Sequence, residues 1–272
     1  MGDLWPNQSV FEEELRLAID GGGLVVHYQP ILASDDGRPV SVEALVRWQH
    51  ATHGLIAPGQ FIGRAEECGL IIAFGEWVLR RACIDARRWP NLRIAVNVSP
   101  MQFLHEGFVA SVARIVRETG FEPERLELEL TEGILIADAK RAQEAITTLR
   151  ALGIRMALDD FGTGYSSLSY LHRFVFDKIK IDRSFLEPNT QEGATILRAM
   201  IGLGRALGMT VTAEGIESAE QQRFLQALGA HELQGFLFSP AVPAADIDVM
   251  ITQAASGRGS WRRKQDPLHS VA

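Results

Sequence analysis

Apolar residues at 11, 15, 18 and 19 recur at helical spacing, and residues 10–20 are predicted as an amphipathic helix. Three glycines at 21–23 end it, without the Lys-Ser/Thr of a phosphate loop. Residues 24–32 and 40–48 read as strands around a turn at 35–39. That connection is far too short for a helical crossover, so the two strands are expected to pair antiparallel. Strand and helix then alternate. Strands are predicted at 92–99, 126–131, 155–159, 178–182, 210–214 and 233–238. Helices are predicted at 61–89 with a break near Gly69, and at 101–119, 139–152, 166–172, 194–207, 219–228 and 244–254. Eight strands, with helices alternating from the second onward, predict an α/β fold. The expected form is a TIM-like (β/α)8 barrel whose first strand runs antiparallel to the others.

The chain of 272 residues suits one such barrel, about 250 residues in the usual case. Residues 1–10 read as a linker, 11–254 as the barrel and 255–272 as a flexible polar, basic tail. A net charge of −7 argues against a DNA partner. No apolar run reaches the roughly 18 residues of a membrane span, and the first residues lack a signal-peptide pattern. A cytoplasmic domain without direct membrane insertion is expected, unless it is part of a longer membrane-anchored protein. Cys68 and Cys83 form no metal pattern, and the seven histidines are scattered.

Candidate chemistry falls where barrel enzymes keep it, at the C-terminal ends of the strands. Successive strands bring Glu43, Asn97, Glu129, Asp159 with Asp160, Lys180 with Asp182, Glu214 and Gln234. Any one of these could be a structural ion pair, as Lys178 and Asp182 are expected to be, but a whole ring of buried charge needs partners. Asp159 and Asp160 are adjacent on a strand, so both face one site only if the chain leaves the strand between them. Gly162 and Gly164 give the backbone freedom for that exit. The pair reads as a bridged site for two hard metal ions, or as a strand-end turn capping a helix. Oxygen donors without Cys or clustered His favour Mg2+ or Mn2+ over zinc.

Glu43-Ala-Leu-Val-Arg-Trp48 resembles the signature of the EAL domain family, the cyclic diguanylate (c-di-GMP) phosphodiesterases. The resemblance continues through Tyr28-Gln-Pro30, Asn97-Val-Ser99, Glu129-Leu-Thr-Glu132 and Asp159-Asp-Phe-Gly-Thr-Gly-Tyr-Ser-Ser167. It ends with Lys180-Ile-Asp-Arg-Ser-Phe185, Ala213-Glu-Gly-Ile-Glu217 and Gln234-Gly-Phe-Leu-Phe-Ser239. The ordered series covers roughly residues 11–250. Departures occur at Ala230, at His172-Arg-Phe-Val-Phe176 and at Ser239-Pro-Ala-Val-Pro243, none of them at a metal position.

The resemblance implies hydrolysis of c-di-GMP to linear pGpG by two Mg2+ or Mn2+ ions. Glu43, Asn97, Glu129 and Asp159 would hold the first metal, with Asp159 bridging to a second completed by Asp160. Lys180 would orient the attacking water, and Glu214 would be a further ligand or a base. Gln29, Arg47 and Gln234 would contact substrate. Asp182, grouped with the substrate-binding residues, would support Lys180 and the metal site, and Glu132 would anchor the loop after Asp160. A homodimer is expected, with a regulatory GGDEF or sensor domain N-terminal to it in a longer protein. Two other functions fit less well: a catalytically inactive EAL domain that acts as a c-di-GMP receptor, and a barrel enzyme for another phosphate ester.

Overall fold

In the computed structural model, residues 4–162, 173–186 and 191–255 are described. Leu24–Ala33 (β1) and Pro39–His50 (β2) form the expected antiparallel hairpin, in register from Leu24 opposite Trp48 to Gln29 opposite Glu43 and beyond. The parallel strands follow: Arg93–Val98 (β4), Leu126–Thr131 (β5), Arg155–Phe161 (β6), Lys178–Ile181 (β7), Thr210–Ala213 (β8) and Glu232–Leu233 (β9). β9 runs antiparallel to β1, with Leu233 opposite Leu32, and this pairing closes the eight-strand barrel. Gly54–Ile56 (β3) and Val242–Pro243 (β10) add short antiparallel pairings to β2 and β1.

Helices cover the outside where the sequence periodicity placed them: Gln8–Gly21 (α1), Ile62–Glu67 (α2), Ile71–Ala86 (α3), Ala139–Ala151, Gln191–Ala206, Ala219–Leu228 and Ala244–Ala255. Gly69, at φ 73°, makes the break between α2 and α3. The best-capped helix is Ala219–Leu228. Ser218 and Gln221 form a reciprocal capping box at its start, and Gly229 turns left-handed at its end. The apolar core lies between the strands and this helical layer, with Ile94, Leu128, Met156, Ile179 and Val211 fully enclosed.

Three expectations are corrected. Residues 101–119 form two helices, Pro100–Phe103 and Phe108–Thr119, because Ser99 caps the first and the Gly107 N–H turns back to the His105 ring. The strand expected at 233–238 stops at Leu233, and the chain beyond it crosses against Ile216. Within the presumed linker, Trp5 is buried. Its indole stacks on Trp48 at 5.2 Å and donates to Glu14 at 2.7 Å. The helix expected at 166–172 and residues 256–272 of the tail lie outside the described residues.

Inside the barrel the side chains are ionic, in two tiers. β5 and β7 are separated by β6, and β7 and β9 by β8, so contacts between them cross the interior. In the lower tier the Lys178 ammonium lies 2.6 Å from Glu127 and 2.7 Å from Glu232, with all three side chains buried. Arg93 meets Glu232 at 2.6 Å and Thr212 donates to it at 2.9 Å. Two carboxylates thus meet Lys178 and Arg93, with the Arg155 guanidinium 3.6 Å from Glu127. Lys178 is the structural ion pair its sequence position suggested. Two residues further along β7, Lys180 belongs to the upper tier, at the mouth.

Candidate active site

The upper tier is organised around one ammonium. Lys180 Nζ lies 2.6 Å from Glu214, 2.8 Å from Glu129, 3.4 Å from Asp159 and 3.7 Å from Glu43. Each group comes from a different strand or strand end, and all open toward the C-terminal mouth. Burial alone would lower the Lys180 pKa, but its carboxylate neighbours outweigh burial and hold it well above its ordinary value. Four carboxylates around one cation are over-supplied with negative charge. Burial pushes Glu129 well above the usual carboxylate range, and Glu43, Asp159 and Glu214 push it further. Glu214 rises to about 8, again chiefly through burial.

Two amides aim Glu43. Asn97 Nδ2 donates to one of its oxygens and Gln234 Nε2 to the other, each at 2.6 Å. Those donors and Lys180 outweigh burial and lower the Glu43 pKa. Gln234 also donates to Gln29 Oε1 at 3.1 Å, and Gln29 Nε2 donates to the Ser239 carbonyl at 3.0 Å. Gln29, Glu43, Asn97 and Gln234 are therefore one hydrogen-bonded set across β1, β2, β4 and the chain after β9. Arg47, two pleat repeats beyond Glu43 on β2, donates to the Val46 carbonyl at 2.8 Å and is partly buried.

An irregularity at Asp160 turns the backbone just before β6 ends at Phe161. The β6–β7 register slips between Leu158 and Phe161, and Asp160 has φ 53°, the sole positive φ of a non-glycine among the described residues. Its N–H donates to Asp159 Oδ1 at 3.0 Å. This left-handed residue, not a glycine, separates the two carboxylate directions, and such strain is characteristic of functional sites. Gly162, at φ 94°, completes the turn, while Gly164 lies outside the described residues. Burial raises the Asp160 pKa, with Asp159 and Asp182 adding to the effect. Asp182 accepts the Ser184 N–H at 2.9 Å, which fixes the turn after β7.

A family model for the EAL domain matches residues 12–241. The chain belongs to the EAL domain family. Over 241 residues this EAL domain is 44% identical to MucR of Pseudomonas aeruginosa, a bifunctional diguanylate cyclase/cyclic di-GMP phosphodiesterase; the match covers 86% of this chain and 35% of MucR. It is 41% identical to the cyclic di-GMP phosphodiesterase PdeR of Escherichia coli, across 89% of this chain and 38% of PdeR. The solved PaMucR phosphodiesterase c-di-GMP complex superimposes with a TM-score of 0.84 at 43% identity, covering 88% of this chain and 99% of that one. This chain spans about a third of the length of several curated relatives it matches.

Glu132 bonds to the turn that follows β6. It starts a short helix, Glu132–Ala137, that follows β5 directly, and its Oε1 accepts the Gly162 N–H at 3.0 Å. The bond ties β5 to the turn that aims Asp160. A Cβ at Gly162 would come within 2.7 Å of Met200 and 2.9 Å of Phe185, so the turn is also packed from outside. Removing a charged acceptor costs roughly 1.5–3 kcal/mol. Glu132→Ala is expected to lower turnover and to raise the Mg2+ concentration needed for half-maximal rate, with partial recovery in excess Mg2+. Superimposable Mg2+ titrations of parent and variant would reduce Glu132 to a helix-end charge.

The donor set suits a hard divalent cation: Glu43, Glu129, Asp159 and the Asn97 amide are all oxygen donors, and Glu129 Oε1 has no hydrogen-bond partner although buried. Among the described residues no three His, Cys, Asp or Glu side chains stand in metal-holding geometry, and Glu129 and Asp159 face the Lys180 ammonium. The two-tier arrangement was only half legible in sequence. Glu127 and Glu232 have the same alternating spacing as Glu129 and Gln234, and that i, i+2 repetition was the available signal.

Proposed function

We propose that this domain hydrolyses one 3′–5′ phosphodiester of c-di-GMP to linear pGpG, with two Mg2+ or Mn2+ ions. The observation that carries this reading is the single Lys180 ammonium among four carboxylates at the barrel mouth, in a chain of the EAL family. Glu43, Asn97, Glu129 and Asp159 would hold one ion, and Asp159 with Asp160 the other. Bound there, the ions would lower the pKa of water and neutralise charge on the phosphoryl oxygens. The chain's own groups orient the reaction. Lys180, held by Glu214, presents a hydrogen-bond donor to the attacking water. Arg47 and Lys180 supply positive charge to a phosphate that carboxylates would otherwise repel. Gln29 and Gln234 fix the substrate's orientation from the β1 side, and Asp182 shapes the turn below it.

Among the described residues no helix is long and apolar enough to cross a membrane. The proposal extends to a cytoplasmic domain that works as a homodimer under the control of a GGDEF or sensor domain in a longer signalling protein. Product analysis tests the activity. Incubation with c-di-GMP and Mg2+ should yield pGpG, and simple unrelated phosphodiesters should be cleaved far more slowly. Intact nucleotide that nevertheless binds tightly would make the domain a receptor, and equal rates on unrelated diesters would point to a general phosphodiesterase.

A further inference from the structure

Phe236 stands two residues beyond Gln234, and 58% of it is exposed. This ring is carried by a fixed lip. The Ile216 N–H donates to the Gln234 carbonyl at 3.1 Å and the Leu237 N–H donates to the Ile216 carbonyl at 2.9 Å. Between those two bonds Gly235 lies directly on the Ile216 backbone: a Cβ there would fall 2.1 Å from the Ile216 oxygen and 2.2 Å from its nitrogen. On the other side, the Ser239 carbonyl accepts from Gln29. The segment is thus clamped to the chain after Glu214 and to β1, both of which contribute to the site. Its neighbours Phe238 and Ser239 are buried, so the lip holds one aromatic ring out while its flanks are locked in.

We infer that Phe236 is a stacking platform for one guanine of the substrate, and so a specificity-determining residue. The inference rests on the c-di-GMP reading above. A cyclic dinucleotide whose scissile phosphate sits at Lys180 must lay its bases outward across the rim, and a purine offers an extended π-face to an aromatic ring. A rigidly held ring loses little freedom on binding. The same segment begins at Gln234, whose amide donates to Gln29 and Glu43 and so ties the lip to the site.

The test combines binding and turnover. Equilibrium binding of c-di-GMP by calorimetry and steady-state hydrolysis are measured for the parent, Phe236→Ala, Phe236→Leu and Phe236→Trp. Loss of one base stack is expected to weaken binding and raise KM about 10-fold in the Ala and Leu variants. Their kcat should stay within about twofold, because no contact to the reacting phosphate is removed. Phe236→Trp should restore parent-like KM, and thermal midpoints should be unchanged because the ring is exposed. An unchanged KM in Phe236→Ala, or full retention by Leu, overturns the stacking role while leaving the phosphodiesterase reading intact. A parent protein that neither binds nor cleaves c-di-GMP overturns both.

Discussion

Asp159→Asn is expected to lose c-di-GMP turnover by about 100-fold or more while folding at least as well as the parent. Disturbing a group that merely supports a metal ligand commonly costs about 10–100-fold, so losing a bridging carboxylate sits at or beyond the upper end. Stability should not fall, for a reason visible in the site. Lys180 keeps Glu214 at 2.6 Å and Glu129 at 2.8 Å, and Asn at 159 retains the oxygen that accepts the Asp160 N–H. One of four mutually repelling carboxylates disappears, so the metal-free thermal midpoint should be equal or higher. Glu43→Gln separates the two effects. It should also abolish turnover, but one of the amides of Asn97 and Gln234 then meets another N–H. Loss of about 1 kcal/mol should lower its midpoint by about 2–4 °C. Near-parent turnover of Asp159→Asn in saturating Mg2+ would remove Asp159 from the metal site. A lower midpoint for that variant would mean that Asp159 serves the fold instead.

The second large effect lies below the site. Lys178→Met is expected to cost about 3–5 kcal/mol, read as a shift in the denaturant midpoint, because it strands Glu127 and Glu232 in the barrel without their shared cation. Adding Glu127→Gln to that variant should recover part of the loss, as expected for groups in direct contact. The same tier gives a pH signature. Burial tends to raise the Glu232 pKa, but Lys178 and Arg93 outweigh it and hold it below its ordinary value. A carboxylate depressed in the folded state contributes stability above its unfolded pKa, and that stability is lost as pH falls through the folded pKa. The stability difference between parent and Lys178→Met should therefore shrink as pH drops below the ordinary carboxylate range. A loss under about 1 kcal/mol at neutral pH would show that the lower tier does not hold the barrel together.

The barrel itself was legible because its signals are local. A short turn forces the β1–β2 hairpin, and apolar spacing changes between strand and helix at each later boundary. What escaped the sequence depends on contacts between distant segments. Trp5 belongs to no periodic apolar pattern and is buried by contacts with Phe11, Trp48 and Arg64. The end of β9 is set by backbone contact between Gly235 and Ile216, which no periodicity encodes. The helix at Glu132–Ala137 has only six residues, too short for a periodic signal. At the site, the strand-end positions of Glu43, Glu129, Asp159, Lys180 and Glu214 were readable one by one. Their convergence on a single ammonium was not, because strand position gives the height of a side chain and not its distance across the barrel. The chain leaves β6 at Gly162 as expected, but the left-handed turn at Asp160 before it was not legible; a polar Asp side chain tolerates that region better than most.

The most direct measurement of the central claim follows c-di-GMP by chromatography in one sample through three stages: protein with Mg2+, then excess chelator, then Mg2+ restored above the chelator. The expected record is conversion to pGpG, arrest, and resumption at the original rate. Persistent conversion during the chelator stage, or intact c-di-GMP throughout, would contradict a metal-dependent phosphodiesterase site built on Lys180 and its carboxylates.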